Sequence, residues 1–189
     1  SHAFQTQGMQ AFTYDDFLFK EYGLDPKALY VRAFEIFLKK HVTEDDIKHM
    51  QAQGAHYVPL LSNADLDIAI VSNSPQGYVS KILEVMGIKH LISDERIIGL
   101  DTANMNLKEN SDAGFQMALS RLHITNPQAA YYADDRVEDL TTAFNAGLQT
   151  IHITKTAQAH PCICHTSDTL TDWMHFMRHY TCLNKALTF

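Results

Sequence analysis

Two short polar segments of the chain carry the residue types of a phosphate-binding site. Ser72 and Asn73 follow the apolar segment LDIAIV, and a helical pattern opens directly after them. A hydroxyl and free backbone N–H groups at a helix N-terminus are suited to bind an oxyanion. Lys108, in NLKEN before another helical pattern, adds a point charge that can neutralise a phosphate. Each feature alone is also typical of a helix cap or a surface lysine, so the weight lies in their combination.

Three carboxylates follow a later strand pattern. Asp134 and Asp135 end the segment AAYYAD, and Asp139 lies one helical turn further on. Adjacent carboxylates repel each other and favour a bound cation, and Mg²⁺ takes one or two carboxylates together with phosphate oxygens and water. Acids also decorate many helix N-termini without binding metal. We favour a Mg²⁺ site because ligands in open α/β sheets bind at the carboxyl ends of the strands, where Ser72 is also expected.

The elements that must position these residues alternate between strand and helix. Strands are predicted at residues 66–72, 96–100, 129–134 and 149–153, with an edge strand at CICH, residues 162–165. Helices are predicted at residues 75–86, 110–122 (capped by Asn110), 137–146 and from Ser167 or Asp168 to Tyr180, with Gly87 and Gly147 closing two of them. This alternation predicts a parallel, Rossmann-like α/β sheet with right-handed crossovers.

Residues 1–62 have a different, helical pattern. PKALYVRAFEIFLKKH places apolar residues at helical spacing behind Pro26, and Thr43 begins a second helix with acids in its first turn. We therefore predict two domains, a helical cap or N-terminal segment of residues 1–62 and an α/β core of residues 63–189.

The order of the motifs resembles that of a known family. IVSNSP, the lysine of NLKEN and YYADDRVED are similar to the second, third and fourth motifs of the haloacid dehalogenase-like (HAD) phosphohydrolases. The resemblance covers residues 66–153, and FKEYGL, residues 19–24, resembles a cap helix of the pyrimidine 5′-nucleotidase-type subgroup. The family implies a HAD-like core with a helical cap, a small phosphorylated substrate and Mg²⁺ as cofactor.

The resemblance also implies a role for each matched residue. Ser72 and the Asn73 backbone N–H would bind the phosphate, and Lys108 would neutralise the phosphate and the nucleophile. Asp134 and Asp135 would hold Mg²⁺, with Asp139 completing the metal group as the support of that loop. In such enzymes an aspartate attacks the phosphoryl group, and water then cleaves the aspartyl-phosphate.

The family's first motif, an apolar strand followed by Asp-x-Asp-x-Thr, has no clear match. Asp65 and Asp67 in ADLDIAI imitate it, but they lie at the start of the Ser72 strand and so at the opposite end of the sheet. The candidate nucleophile is Asp15, in MQAFTYDDFLF, although Phe17 stands where the acid/base should be. Without the nucleophile strand, two inner strands of the sheet would lack a partner.

Three interpretations follow from this. The first motif lies upstream of Ser1, or the chain is a family member without catalysis that keeps a binding or scaffolding role, or Asp15 serves in a degenerate site. Only the third predicts phosphatase activity from this chain alone. If the chain lacks the motif, residues 8–14 or another chain supply the missing strand, or the sheet closes up.

A second cluster suggests a different class of function. HPCICH, residues 160–165, could form a zinc site together with residues in the last helix, namely His175, His179 and Cys182. The spacing is not that of a standard zinc finger, and a strand at CICH would place Cys162 and Cys164 on one face, where they pack as small apolar residues. We favour the packing interpretation.

Composition limits the partners. The chain has 189 residues and a net charge of −7, with 15 basic and 22 acidic residues, and no basic stripe suited to a nucleic acid polymer. No apolar run is long enough for a membrane span. The N-terminus is unlike a signal peptide, and three cysteines fit a reducing compartment, so we expect a cytoplasmic protein.

Overall fold

The structure, a computed structural model, describes residues 22–62, 66–156 and 159–177. The chain divides into two compact units, Ser1–Val42 and Thr43–Phe189. In the first unit, helix α1 spans Pro26–His41, and the Asp25 carboxylate caps it by accepting a hydrogen bond from the Lys27 backbone N–H at 2.9 Å. The helix predicted behind Pro26 is therefore confirmed.

Helix α2 spans Glu44–Leu61 and begins at the predicted cap. Thr43 Oγ1 accepts a hydrogen bond from the Asp46 N–H, and the Asp46 carboxylate accepts one from the Thr43 N–H at 2.9 Å, which together form a capping box. Although its sequence reads as part of the cap, α2 belongs to the second unit, together with the strands. A cap of residues 1–62 stays a proposal.

The described residues of the second unit form five short strands, and all of their pairings are parallel. Among the described residues they form two sheets, one of order β1-β2 and one of order β3-β4-β5. The strands are β1 (Ile70–Val71), β2 (Ile97–Ile98), β3 (Tyr131–Asp134), β4 (Gln149–Ile153) and β5 (His165–Ser167). The alternating α/β pattern with a parallel sheet is therefore confirmed, and β1 is shorter than its apolar segment.

Four helices alternate with these strands. They are α3 (Gln76–Val85), α4 (Ala113–Arg121), α5 (Val137–Asn145) and a helix, α6, over residues 170–177. Gly87 and Gly147 follow α3 and α5 with φ angles of 75° and 92°. Only glycine adopts such angles at little cost, so these two residues end their helices as predicted.

Several predicted boundaries are wrong. Neither Ser167 nor Asp168 caps α6, because Ser167 ends β5 and Thr169 Oγ1 accepts the capping hydrogen bond from the Asp172 N–H at 3.1 Å. Asn110 does not cap α4, because the Asn110 and Ser111 N–H groups both bond to the Leu107 carbonyl in a turn, and the helix begins at Ala113. CICH is not a strand, because the Ile163 N–H bonds to the His160 carbonyl in a turn, and β5 begins only at His165. Local turn bonds compete with regular structure at Asn110 and at CICH.

One hydrophobic cluster links the two sheets. Its buried members are Phe115, Leu119, Ala143 and Leu148. Val71 from β1 and Tyr132 from β3 both pack against it. The carboxyl ends of β1 and β3 therefore belong to one packed body although no ladder joins these strands in the described part.

No helix in the described part of the chain is long and apolar enough to cross a membrane.

Candidate functional site

Lys108 lies at the centre of the site. Its Nζ is 2.8 Å from Asp134 Oδ2, 3.0 Å from Asp139 Oδ2 and 2.9 Å from the Tyr132 hydroxyl. The Lys108 and Asp134 side chains are 12% and 13% exposed, and that of Asp139 is 0% exposed. A buried ammonium needs carboxylate partners. The structure thus brings together Lys108, Asp134 and Asp139, as the motif order predicts.

The pKa values of the two carboxyl groups beside Lys108 are shifted in opposite directions. Burial raises the pKa of the Asp134 carboxyl, but the Lys108 charge and hydrogen bonds from Lys108 and Tyr132 outweigh it, so this pKa lies below its ordinary value. Burial raises the pKa of the Asp139 carboxyl above its ordinary value, and the Lys108 charge offsets only part of that rise. Asp134 therefore keeps its negative charge to lower pH than Asp139 does, and it is the more stable anionic partner of Lys108.

Tyr132 is a site residue that the sequence reasoning missed. Its hydroxyl accepts a hydrogen bond from Lys108 and donates one to Asp134, while its ring meets Phe115 edge-on at 4.7 Å. Burial and the neighbouring Asp134 carboxylate raise the pKa of the Tyr132 phenol, so the hydroxyl keeps its proton. The alternation of side chains along β3 puts Tyr132 and Asp134 on one face, and that spacing was the available signal.

Ser72 and Asn73 follow β1, close to the start of α3. Ser72 Oγ accepts a hydrogen bond from the Ser74 N–H at 3.0 Å, which closes a local serine turn before α3. The Asn73 amide reaches the lysine segment, where its Oδ1 accepts from the Lys108 N–H at 2.9 Å. Asn73 therefore contacts the lysine loop through its side chain, which the predicted role of its backbone N–H did not include.

The N-terminus of α3 already holds an anion from the chain itself. Asp101 Oδ1 accepts a hydrogen bond from the Gln76 N–H at 2.7 Å. The close approach depends on Gly99, since a Cβ there would lie 2.2 Å from the Gln76 nitrogen. Asp101 was not recognised in the sequence, because it lies 25 residues from Gln76 with no motif around it.

The residues predicted to hold metal have suitable chemistry but do not meet at one point. Among the described residues, the buried Asp139 carboxylate forms an ion pair with Lys108 but receives no well-aligned hydrogen bond, and Asp135 is exposed. Such oxygen donors suit a hard divalent cation. However, Asp134 and Asp139 face the Lys108 ammonium, and the described residues include no group of three or more His, Cys, Asp or Glu placed to hold a metal ion.

The loop that carries Asp135 is fixed through its backbone. The His152 ring, at Nε2, lies 3.2 Å from the Asp135 carbonyl oxygen, and the Arg136 N–H donates to Asp134 Oδ1 at 3.0 Å. His152 pairs with Asp134 in the β3–β4 ladder and is 5% exposed. These contacts link the turn after β3 to its own strand and to β4, and His152 is a further residue that the sequence reasoning missed.

The candidate nucleophile, Asp15, lies outside the described residues, as do Asp65 and residues 8–14. Asp67, the other acid of ADLDIAI, precedes β1 and pairs with Arg96 at 2.8 Å. It thus lies at the end of β1 opposite to Ser72.

Within the cysteine and histidine cluster, the structure pairs Cys162 with His160. Cys162 is 3% exposed, with its Sγ 2.9 Å from His160 Nδ1 and 3.2 Å from Thr141 Oγ1. Cys164 is exposed, so the prediction that both cysteines share one packed face is wrong, since a turn replaces the expected strand. His175 lies on α6, and both His179 and Cys182 fall outside the described residues.

Comparison with known proteins supports the fold. No protein-family model and no curated protein matches the chain. Among solved structures, the chain is similar to a HAD phosphatase from Thermococcus onnurineus, at 22% sequence identity and a TM-score of 0.55, over 87% of this chain and 72% of that one. The chain therefore has the HAD-like α/β fold, and the pyrimidine nucleotidase subgroup stays a prediction.

Proposed function

We propose that the protein is a Mg²⁺-dependent phosphomonoester hydrolase of the HAD type. The observation that carries this proposal is the Lys108 ammonium, held between Asp134 and Asp139 where β3 ends. The Asn73 side chain joins this lysine segment to the end of β1. A cation at the carboxyl ends of parallel strands is placed to receive a phosphate. The HAD-like fold supports the same assignment.

The proposed chemistry uses an aspartyl-phosphate. A carboxylate oxygen of Asp15 attacks phosphorus, the bond from phosphorus to the alcohol oxygen breaks, and the departing oxygen takes a proton from solvent water. Water then hydrolyses the aspartyl-phosphate, which releases inorganic phosphate and returns the Asp15 carboxylate. Lys108 neutralises the phosphoryl oxygens, with Ser72 and the Asn73 N–H as further phosphate ligands. The family resemblance assigns Mg²⁺ to Asp134, Asp135 and Asp139, and a bound ion would supply positive charge against the phosphate. Because the structure places Asp134 and Asp139 against the Lys108 ammonium, the proposal of Mg²⁺ rests on the resemblance.

The proposed substrate is a small phosphomonoester, with pyrimidine nucleoside 5′-monophosphates as the first group to test. This rests on the resemblance of residues 19–24, 70–88 and 131–153 to the pyrimidine 5′-nucleotidase-type subgroup. We also propose the cytoplasm as its location, because three cysteines fit a reducing compartment.

A second candidate function is binding or scaffolding without catalysis. Two observations favour it. The Lys108 ammonium already has two carboxylate partners, and Asp101 occupies the Gln76 N–H at the start of α3. In this alternative the carboxylates occupy the positions that a phosphate would take beside Lys108 and at the start of α3.

Phosphate release by the full chain distinguishes the two functions. We would measure it with and without Mg²⁺, on an aryl phosphate and on pyrimidine nucleoside monophosphates, beside an Asp135→Ala variant. Asp135 is exposed, and within the described part of the chain its side chain makes no hydrogen bond or ion pair with Lys108, so the variant is expected to fold. Mg²⁺-dependent release that disappears in the variant supports the hydrolase. Equal, near-zero release from both proteins supports the non-catalytic alternative.

A further inference from the structure

We infer that Glu109 is a positioning residue of the phosphate site, acting through the Asn73 side-chain amide to hold Lys108 in place. The motif order assigns Glu109 no role. The part of the inference that concerns phosphate rests on the proposed function. The part that concerns the lysine loop stands on the contacts alone.

The Asn73 amide bridges two neighbouring residues of the lysine loop. Its Nδ2 donates to Glu109 Oε2 at 2.9 Å, and its Oδ1 accepts from the Lys108 backbone N–H at 2.9 Å. A carboxylate only accepts hydrogen bonds and a backbone N–H only donates them, so the amide fits in one orientation alone. Glu109 therefore reinforces the orientation in which the Asn73 oxygen faces the Lys108 N–H.

Glu109 has the burial expected of such a residue. Its side chain is 16% exposed, and its carboxylate also lies 3.8 Å from Arg136 Nη2. Its carbonyl accepts a hydrogen bond from Thr142 Oγ1 on α5 at 3.1 Å. A half-buried carboxylate without partners would be costly, and these contacts tie it to the β3 side of the site as well as to β1.

This bridge joins strands that no ladder joins. In the described part of the chain, β1 pairs only with β2, and β3 pairs only with β4. The ends of β1 and β3 must nevertheless hold a fixed distance if Ser72 and Lys108 are to contact one phosphate. Three contacts fix that distance through side chains, namely those of Asn73 with Lys108 and with Glu109, and that of Glu109 with Arg136.

The first test compares Glu109→Ala with the conservative Glu109→Gln in the full chain. The Gln side chain keeps an oxygen acceptor for Asn73, whereas Ala does not. We expect Glu109→Ala to weaken binding of inorganic phosphate about tenfold and to speed exchange of the Lys108 amide hydrogen about tenfold, since one charge-assisted hydrogen bond is lost. For Glu109→Gln we expect changes below about threefold in both quantities, because the acceptor remains.

The control is Glu138→Gln. It removes the same charge from the other carboxylate near Arg136, at 4.0 Å from Nε, but this residue is exposed. We expect wild-type phosphate binding and wild-type exchange at Lys108. If Glu138→Gln and Glu109→Ala have equal effects, Glu109 acts only through charge and the inference is overturned.

A donor–acceptor exchange gives a second test that needs no phosphate. Asn73→Asp alone sets two carboxylates against each other, so we expect faster exchange of the Lys108 amide. Combining it with Glu109→Gln returns a donor to the bridge, because the Gln amide can donate to the Asp carboxylate. We expect the double variant to regain slow exchange. A double variant that exchanges as fast as Asn73→Asp contradicts the bridge.

The two readouts separate this inference from the proposed function. If exchange at Lys108 follows the predicted order while even the wild-type chain binds no phosphate, the bridge stands and the phosphate site fails. If the wild-type chain binds phosphate and Glu109→Ala binds it equally well, the positioning role is wrong and the proposed function stands.

Discussion

At the scale of single residues, the site is defined by one cation between two unlike carboxylates. Asp134 receives hydrogen bonds from Lys108, from Tyr132 and from the Arg136 N–H. Asp139 is fully buried and makes a 3.0 Å contact with Lys108. The first carboxylate is stabilised as an anion by direct donors, and the second is mainly desolvated. The contributions of the two residues to the free energy of unfolding should therefore change with pH in opposite directions. That of Asp134 should increase as pH rises, and that of Asp139 should decrease.

Asp134→Asn should destabilise the protein at neutral pH. The folded state depresses the pKa of Asp134, so its contribution is present above the ordinary value of 3.8 and is lost as pH falls through the folded pKa. We expect the variant to lose about 2 kcal/mol of unfolding free energy at pH 7, because charge-assisted hydrogen bonds are removed. Chemical denaturation at pH 7 and pH 3 measures this, and a loss that is as large at pH 3 as at pH 7 contradicts it.

Asp139→Asn should behave differently. The folded state raises the pKa of Asp139, so its contribution is present below 3.8 and is lost as pH rises through the folded pKa. The amide resembles the protonated acid, so we expect the variant to be at least as stable as the wild type at pH 7 and to lose less stability between pH 4 and pH 7. Denaturation across that range tests this, and a variant destabilised as strongly as Asp134→Asn would falsify the assignment.

The sequence showed some site residues and hid others for a physical reason. Lys108, Asp134 and Asp139 are recognisable because they stand beside strand and helix patterns in a characteristic order. Tyr132 reads as an ordinary apolar strand residue, although its hydroxyl joins the network. Asp101 and Glu109 act through contacts that only the folded chain creates, across 25 and 36 residues respectively.

At the scale of elements, the packing of α2 against α3 depends on one glycine. A Cβ on Gly54 would lie 1.9 Å from the Met86 carbonyl oxygen and 2.7 Å from its carbon. Both are backbone atoms at the end of α3, so neither can rotate away. The close approach of α2 to this helix end therefore requires the absence of a side chain at position 54.

Gly54→Ala should lower the unfolding free energy by about 2 kcal/mol, the typical cost of overpacking. The matched control is Gly77→Ala on α3, where an added Cβ meets nothing within 4 Å. Alanine forms helix better than glycine, so the control should gain up to about 1 kcal/mol. Thermal or denaturant unfolding of the two variants measures both changes. Equal effects would mean that α2 does not approach α3 this closely.

Elements were easier to predict than their ends. Apolar spacing and closing glycines identified α3 and α5, and β4 coincides with its predicted residues. The errors at Asn110 and at CICH come from turns whose hydrogen bonds, to Leu107 and to His160, compete with helix and strand. Periodicity detects the regular part of an element and does not detect such turns.

At the scale of the whole molecule, the described strands form two separate sheets instead of one continuous sheet. The Ser72 N–H bonds to Ile98 on β2, and Gln149 on β4 bonds to Ala130 beside β3. Alternation along each strand then directs the Val71 and Ala133 N–H groups toward the opposite edges. These edges have no ladder partner among the described residues. The sequence anticipated this gap, because no complete first motif precedes β1.

Amide hydrogen exchange at the open edges tests how the gap is filled. If a strand that carries the nucleophile completes the site, the Val71 and Ala133 amides should exchange as slowly as the Ser72 amide, which bonds to Ile98 at 2.9 Å. We expect this result in the full chain, because the hydrolase proposal requires a nucleophile beside Lys108. Fast exchange at both amides beside a slow Ser72 would contradict it and favour the non-catalytic alternative.

The most direct measurement of the central claim is equilibrium binding of inorganic phosphate to the full chain and to Lys108→Met. The control is Lys81→Met, which removes an exposed lysine paired with Glu84 at 2.7 Å on α3. We expect Lys108→Met to weaken phosphate binding about 100-fold, since a charge-assisted contact of roughly 2–3 kcal/mol is lost, while the control binds as the wild type does. Equal binding by the two variants, or no binding by the wild-type chain, would contradict a phosphate site at Lys108.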